Sequence, residues 1–278
     1  MQIDGNTGLI AHLGSPTHSF KAPMIYNPYF ESAGINAVVM PMGCTASTFA
    51  QLLPLLFRLD NIRGALITMP HKVSVIDLLD EVTPAAQIAG ACNAVKRDSA
   101  GRLVGDQFDG EGFVRGVRRK GLAPEGARAL VVGCGGVGSA IAASLALARV
   151  RAIALFDIDE ASAQALARRL QVHYPDTLIT LGSNDPKGLD LVVNATPLGM
   201  KPGDAMPVDV SRLDAHTFVG EVVMAKETTA LLQAAQSRGC RVQVGADMLF
   251  EMIPPYLEFF GFPSTTPERL RALARIEY

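Results

Sequence analysis

The run Val131-Val132-Gly133-Cys134-Gly135-Gly136-Val137-Gly138 constrains this chain more than any other feature. A short apolar strand enters a glycine turn, an uncharged helix-like stretch follows, and a second apolar run ends at Leu155-Phe156-Asp157-Ile158-Asp159. Strand, glycines and helix in that order predict a βαβ unit that holds a dinucleotide. Gly133, Gly135, Gly136, Val137 and Gly138 would form the turn, where missing side chains let the backbone approach a pyrophosphate at the helix N-terminus. Asp157 lies 19 residues beyond Gly138, where a carboxylate can accept hydrogen bonds from the adenosine ribose. The lesser alternative is that Asp157 merely caps the helix expected from about residue 159, and the two roles are compatible. A carboxylate there repels the 2′-phosphate of NADP. The next residues are Ile158 and Asp159, with no Arg or Lys before Arg168, so NAD is expected in preference to NADP.

Residues 129–148 carry no charge, which satisfies a simple count for a membrane span. Seven of them are Gly, Cys or Ser, and the run divides into strand, turn and helix, so it reads as buried core. With 278 residues, 49% of them apolar, the chain can build one large or two medium domains. Its net charge is −2 and its Lys and Arg are scattered singly, so neither a nucleic-acid surface nor an anionic-membrane surface is expected. Cys44, Cys92, Cys134 and Cys240 show no metal or redox spacing and read as buried free thiols of a reducing compartment. No His, Cys and Asp cluster has ligand spacing, so no metal is expected. Met1-Gln2-Ile3-Asp4-Gly5 lacks the basic and apolar regions of a signal peptide, which points to the cytoplasm.

From residue 8 onward short apolar strands alternate with helical segments. Strands are expected at Leu9–Leu13, Ala37–Met40 and Ala65–Thr68, and helices at Pro23–Ala33, Thr45–Phe57 and Lys72–Leu79. A β-ribbon over Cys92–Val104 would turn at Asp98-Ser99-Ala100-Gly101. A helix over Gly110–Lys120 leads into the nucleotide-binding sheet, whose further strands are expected at Leu191–Asn194, Phe218–Val222 and Val242–Val244. The fold class is therefore α/β with two domains. Residues 1–108 would form a substrate domain with a mainly parallel sheet and residues 109–246 a Rossmann domain. Two final helices within residues 247–278, about Asp247–Phe259 and Pro267–Ile276, would pack back on the first domain.

Five further segments occur in a recognisable order around the glycine loop. They are Gly14-Ser15-Pro16 with Ala22-Pro23, Ile67-Thr68-Met69-Pro70-His71-Lys72, Gly90-Ala91-Cys92-Asn93-Ala94, Gly105-Asp106-Gln107-Phe108-Asp109-Gly110, and Asn194-Ala195-Thr196-Pro197-Leu198-Gly199-Met200. Together they resemble the shikimate/quinate dehydrogenase family over nearly the whole chain. The resemblance implies that Lys72 and Asp109 are the catalytic pair and that Thr68 and Asn93 contact substrate. It also implies that Asn194, Ala195, Thr196, Pro197 and Met200 line the cofactor's nicotinamide side, and that Val222 and Gly245 also bind the cofactor. The chemistry agrees: oxidising a secondary alcohol needs a group to take the hydroxyl proton as hydride leaves. Taken alone, Lys72 could be a first-turn helix residue and Asp109 an N-cap. His71 reads as a solvent-facing neighbour.

The chain also departs from that pattern. Shikimate dehydrogenases hold the substrate carboxylate with two serines of a His-Ser-x-Ser-Pro segment and a tyrosine of the second domain. Here the serine positions fall on Phe20 and Ala22, or on Ser19 for the first with a one-residue shift. The tyrosine region reads Gly220-Glu221-Val222-Val223-Met224, the usual Asn-Thr-Asp reads Gln107-Phe108-Asp109, and the expected Met-Leu-x-x-Gln ends on Met252. Lys21 is either a substitute carboxylate anchor or a solvated helix-start lysine. The expectation is an NAD-preferring dehydrogenase whose pocket, around Ser19, Phe20, Lys21, Ala22, Phe108, Met224 and Met252, suits shikimate, quinate or a less polar cyclic analogue. A homodimer is compatible with it. The alternatives are a non-catalytic relative that binds NAD and a metabolite to regulate another process, and a methylenetetrahydrofolate dehydrogenase-like enzyme.

Overall fold

The computed structural model describes residues 3–277; Met1 and Gln2, which open the N-terminal segment considered above, and Tyr278 lie outside the described residues. In chain order the elements begin with β1 (Gly8–Gly14), α1 (Pro23–Ala33), β2 (Ala37–Gly43), α2 (Ala46–Leu56) and β3 (Ile62–Ile67). Next come β4 (Glu81–Val82), α3 (Pro84–Ala89), β5 (Ala94–Arg97), β6 (Leu103–Asp106) and α4 (Asp109–Arg119). They continue with β7 (Arg128–Val132), α5 (Gly136–Leu147), β8 (Ala152–Phe156), α6 (Glu160–His173), β9 (Leu178–Leu181) and β10 (Leu191–Asn194). The last are β11 (Phe218–Glu221), α7 (Ala230–Ser237), β12 (Arg241–Gln243), α8 (Gly245–Phe259) and α9 (Pro267–Leu273).

The described residues fall into two compact units. The first holds the chain up to Gln87 together with Ala91–Phe108 and Ile253–Glu277. Its six strands run in the order β2-β1-β3-β5-β6-β4. β1 pairs in parallel with β2 and β3, and β5 joins antiparallel to β3 and β6 as the expected ribbon. Local chemistry sets the ends of α1: Pro23 sits in its first turn, and Gly34 closes it at φ 66°, its N–H bonded to the carbonyls of Glu31 and Phe30. Tyr26, Tyr29 and Phe30 of this helix are fully buried, and a phenylalanine so buried contributes about 1.5–3 kcal/mol.

The second unit comprises Ile88–Gly90 and Asp109–Met252. Its sheet, β12-β11-β10-β7-β8-β9, is parallel throughout. That arrangement explains why strands such as Ala129–Val132 and Leu191–Val193 are continuously apolar: all are buried. This is the two-domain α/β architecture expected from the alternation of strands and helices.

Three local expectations are revised. The stretch expected to be helical over Lys72–Leu79 is a short 3-10 helix over Ser74–Leu78, a segment whose β-branched Val73, Val75 and Ile76 slightly disfavour a regular α-helix. His71 does not face solvent. It is fully buried, stacks on Phe49 with ring centroids 4.0 Å apart, and its Nε2 lies 3.1 Å from the Cys44 carbonyl. The helix after β8 is capped by Asp159, which accepts from the Ala161 N–H, and not by Asp157.

Candidate functional site

In the second unit the glycine loop is shaped by close backbone approach. Gly133 has φ 97°, and a Cβ on it would meet the Ala195 carbonyl carbon at 2.8 Å. A Cβ on Gly138 would lie 1.8 Å from the Gly133 carbonyl oxygen, so only glycine fits there. Gly135 stands at the N-cap of α5, and Gly136, Val137 and Gly138 form its first turn. No side chain caps this end, which leaves the first N–H groups and the positive dipole end to an anion. Asp157 ties the loop down: its carboxylate accepts the Cys134 N–H at 2.6 Å and the Asp159 N–H at 2.9 Å. Burial, with the Asp157 carboxylate beside it, pushes the Cys134 thiol up to about 12. Ile158 is 95% exposed. The open first turn and the close-packed glycines fit the pyrophosphate of a dinucleotide.

The segment after β10 is held by its own side chains. The Asn194 amide donates to the Leu198 carbonyl, and its oxygen accepts from the Thr196 N–H and hydroxyl. The Thr196 hydroxyl oxygen accepts in turn from the Leu198 N–H, and the Asp204 carboxylate fastens the N–H groups of Gly199 and Lys201. Pro197 and Met200 ride on this tightened turn, joined by the bond from the Met200 N–H to the Pro197 carbonyl. Val222 donates its N–H to the Asn194 carbonyl. Gly245 opens α8 where a Cβ would meet the Val223 carbonyl oxygen at 2.3 Å. Glu221, opposite Asn194 in the sheet, is fully buried and accepts from the Thr229 hydroxyl at 2.9 Å. Burial pushes its carboxyl up to about 7.

The first unit gathers its candidates at the ends of β1, β3 and β5. Thr68 follows β3 and donates its N–H to the Leu13 carbonyl. Gly14 makes room: a Cβ there would lie 2.4 Å from the Thr68 methyl and 3.2 Å from the Phe20 ring. The Lys72 carbonyl accepts from the Cys92 N–H at 2.7 Å, which fixes the Lys72 backbone beside Asn93. Asn93 is fully buried and its Oδ1 accepts the Phe108 N–H at 3.0 Å, while its Nδ2 has no hydrogen-bond partner among the described residues. The Phe108 ring packs on Tyr256 and Phe259. The Ser19 hydroxyl donates to the Pro16 carbonyl, and the Lys21 ammonium, itself buried, donates to the Glu277 carbonyl. Phe20 and Ala22 are buried and apolar. Asp109, 1% exposed, begins α4 in the second unit, which also holds half-buried Met224 and buried Met252.

Residues 13–95 match the family model described as the shikimate dehydrogenase substrate binding domain. Residues 123–177, around the glycine loop, match the ThiF family model. The shikimate dehydrogenase (NADP(+)) of Desulforamulus reducens is 35% identical over 259 residues, covering 89% of this chain and 88% of that one. The chain belongs to the shikimate/quinate dehydrogenase family. Among solved structures, quinate dehydrogenase from Corynebacterium glutamicum in complex with NAD is 28% identical, with a TM-score of 0.85 and coverage of 96% of this chain and 98% of that one. The 5-ketofructose reductase of Gluconobacter sp. strain CHM43 is 25% identical, with a TM-score of 0.85 over 97% and 98% of the two chains. Membership makes this protein an oxidoreductase of CH–OH groups that works with a nicotinamide cofactor. Its cradle of Gly133, Gly138 and the uncapped start of α5 fits that cofactor.

Two residues of this family member were missed in the sequence. His12 stacks on Phe20 with ring centroids 4.0 Å apart. The Tyr256 hydroxyl donates to the Asn93 carbonyl at 3.3 Å. A histidine between the apolar Ala11 and Leu13 was a visible signal. The Tyr256 contact spans 163 residues, and no local pattern announces it.

Proposed function

We propose that this protein is an NAD-preferring dehydrogenase that oxidises, reversibly, one secondary alcohol of a cyclic hydroxy compound: shikimate, quinate or a less polar analogue. The observation that carries this reading is the presence of both Lys72 and Asp109, in their family segments, in a chain that also has the cofactor cradle. When bound, the nicotinamide accepts or returns a hydride. Lys72 takes the hydroxyl proton in the oxidising direction and polarises the carbonyl in the reverse, and Asp109 is the other member of the family's catalytic pair. Thr68 supplies a hydroxyl to the substrate and Asn93 its amide donor. Phe108 supplies an apolar wall in the first unit, and Met224 and Met252 are the apolar residues at the family's substrate positions in the second.

The carboxylate-binding positions support a shift away from shikimate. Phe20 and Ala22 offer no hydrogen bond, the Ser19 hydroxyl donates to its own turn, and the Lys21 ammonium donates to the Glu277 carbonyl. Losing two or three hydrogen bonds to a charged group, at about 1.5–3 kcal/mol each, weakens binding by roughly 10³-fold or more. The 5-ketofructose reductase neighbour is named for a sugar diketone that has no carboxylate.

NAD preference is supported by the Asp157 carboxylate and by Ile158, which offers a 2′-phosphate no charge. A like-charge pair at about 4 Å costs roughly 4 kcal/mol at an effective dielectric near 20. The test is the initial rate with shikimate, quinate and deoxy, amino and esterified analogues, each with NAD and with NADP. NAD should win by at least roughly 100-fold in kcat/KM, and Ile158→Arg should narrow that ratio by about 10-fold or more. Equal rates with both cofactors would overturn the NAD assignment. Cofactor binding without turnover of any alcohol would overturn the dehydrogenase reading in favour of a regulatory relative.

A further inference from the structure

Alternate side chains of a strand point to opposite faces of its sheet. Ala11 and Leu13 of β1 lie in the core cluster with Phe49, Leu53, Ala65 and Ile67, so His12 stands on the other face. There its ring stacks on Phe20 at an interplanar angle of 25°. His12 is 7% exposed, and its Nδ1 has no hydrogen-bond partner among the described residues. Buried ring nitrogens are normally hydrogen-bonded, and that of His12 is left open, as is the Nδ1 of core-stacked His71; what sets His12 apart is its place on the other sheet face, beside Phe20 near the end of β1. Burial, reinforced by the Lys72 charge nearby, pushes the His12 imidazole down to about 3. The ring is therefore neutral, with one nitrogen donating and the other accepting. Two residues further along β1, Gly14 lets Thr68 and Phe20 approach closely. This is the C-terminal end of parallel strands β1 and β3, where sheets of this kind bind ligands.

We propose that His12 is a specificity-determining residue whose imidazole, backed by the Phe20 ring, hydrogen-bonds an uncharged hydroxyl or carbonyl oxygen of the substrate. The preferred substrate is then a cyclic polyhydroxylated alcohol, or its ketone, with no carboxylate at that end. This deepens the dehydrogenase reading above and rests on it. An imidazole without charge cannot offset an anion, and a buried carboxylate needs a cation or several donors. Two lysine ammoniums of this unit already donate to backbone carbonyls, Lys21 to Glu277 and Lys96 to Phe259. Lys72 is assigned to the proton. What remains beside Phe20 and Ala22 suits an oxygen that both donates and accepts, which is a hydroxyl.

Shikimate and its methyl ester share one ring and differ in a single charge, so they form the test pair. Calorimetry on the NAD-saturated protein at pH 7.5 should show the ester binding at least about 10-fold more tightly than shikimate. His12→Phe keeps the stacked ring and removes both nitrogens. It should weaken ester binding by about 10-fold and shikimate binding by less, so that the preference for the ester narrows. His12→Asn, which keeps a donor and an acceptor, should recover part of the loss. In the unsubstituted protein the ¹⁵N resonance of the His12 Nδ1 should move when ester is added, a signature that needs no variant to fold. Equal binding of the ester by His12→Phe and wild type, or tighter binding of shikimate than of the ester, would overturn the proposal. If the ester binds in a His12-dependent way and no NADH forms, the dehydrogenase reading fails and the His12 assignment stands. If NADH forms and His12→Phe matches wild type in kcat/KM for the ester, the reverse holds.

Discussion

The glycine loop after β7 and the Thr68–Lys72 segment after β3 occupy equivalent places: each is a short connection at the C-terminal end of a parallel strand. They are constrained in opposite ways. In the glycine loop the backbone excludes alternatives, because a Cβ on Gly138 would lie 1.8 Å from the Gly133 oxygen and one on Gly133 would meet Ala195. Around Thr68 the close neighbours are mostly side chains, the Thr68 methyl and the Phe20 ring crowding Gly14 beside the Met69 carbonyl, and a side chain can be exchanged where a backbone contact cannot. A cofactor site built from backbone geometry must keep its residues to keep its shape. A substrate site built from side chains can change specificity and leave its strands intact.

Lys72→Ala breaks this comparison most sharply. Removing one half-buried side chain from the tolerant region should lower kcat by about 10³-fold, while NAD affinity by calorimetry and the melting temperature stay at wild-type values. A wild-type kcat would remove Lys72 from the chemistry. Gly138→Ala tests the intolerant region. The added methyl forces the loop apart, and the expected cost is about 2–3 kcal/mol of stability together with loss of measurable NAD binding. A normal melting temperature with intact NAD binding would show that the loop can open.

The smallest effect concerns Glu221 and sharpens the comparison within the second unit. Its folded value of about 7 lies above the 4.5 of an unconstrained carboxyl, because burial disfavours the charged form. Its stabilising contribution is therefore complete below about pH 4.5 and is lost as pH rises through 7. Denaturant titrations should show a decline of about 2 kcal/mol between pH 5 and 8. Glu221→Gln should flatten that decline. An unchanged slope in the variant would move the pH dependence to another group.

Much of this was legible in the chain itself. Pro23 and Gly34 mark both ends of α1, and continuous apolar runs mark the parallel strands of the second unit, because those signals act within a few residues. The catalytic candidates were legible as segments in family order. The companions that define their surroundings were not. His71 is adjacent to Lys72 in sequence, yet it is buried because Phe49, 22 positions away, supplies a stacking face. The capping role went to Asp159, because Asp157 is drawn back to the Cys134 N–H 23 residues earlier. Lys21 looked like an anchor or a solvated lysine until the C-terminal segment placed the Glu277 carbonyl against its ammonium.

By itself, the sequence determined the α/β class, the glycine cradle and the family. These rest on residue types whose backbone freedom or apolar periodicity acts locally. Only the tertiary structure decided which polar atoms are left open inside the substrate unit, among them the Nδ1 atoms of His12 and His71, the Nδ2 of Asn93 and the hydroxyls of Tyr26 and Thr265. Whether a buried donor or acceptor has a partner depends on residues brought together from distant parts of the chain, and no local pattern encodes that.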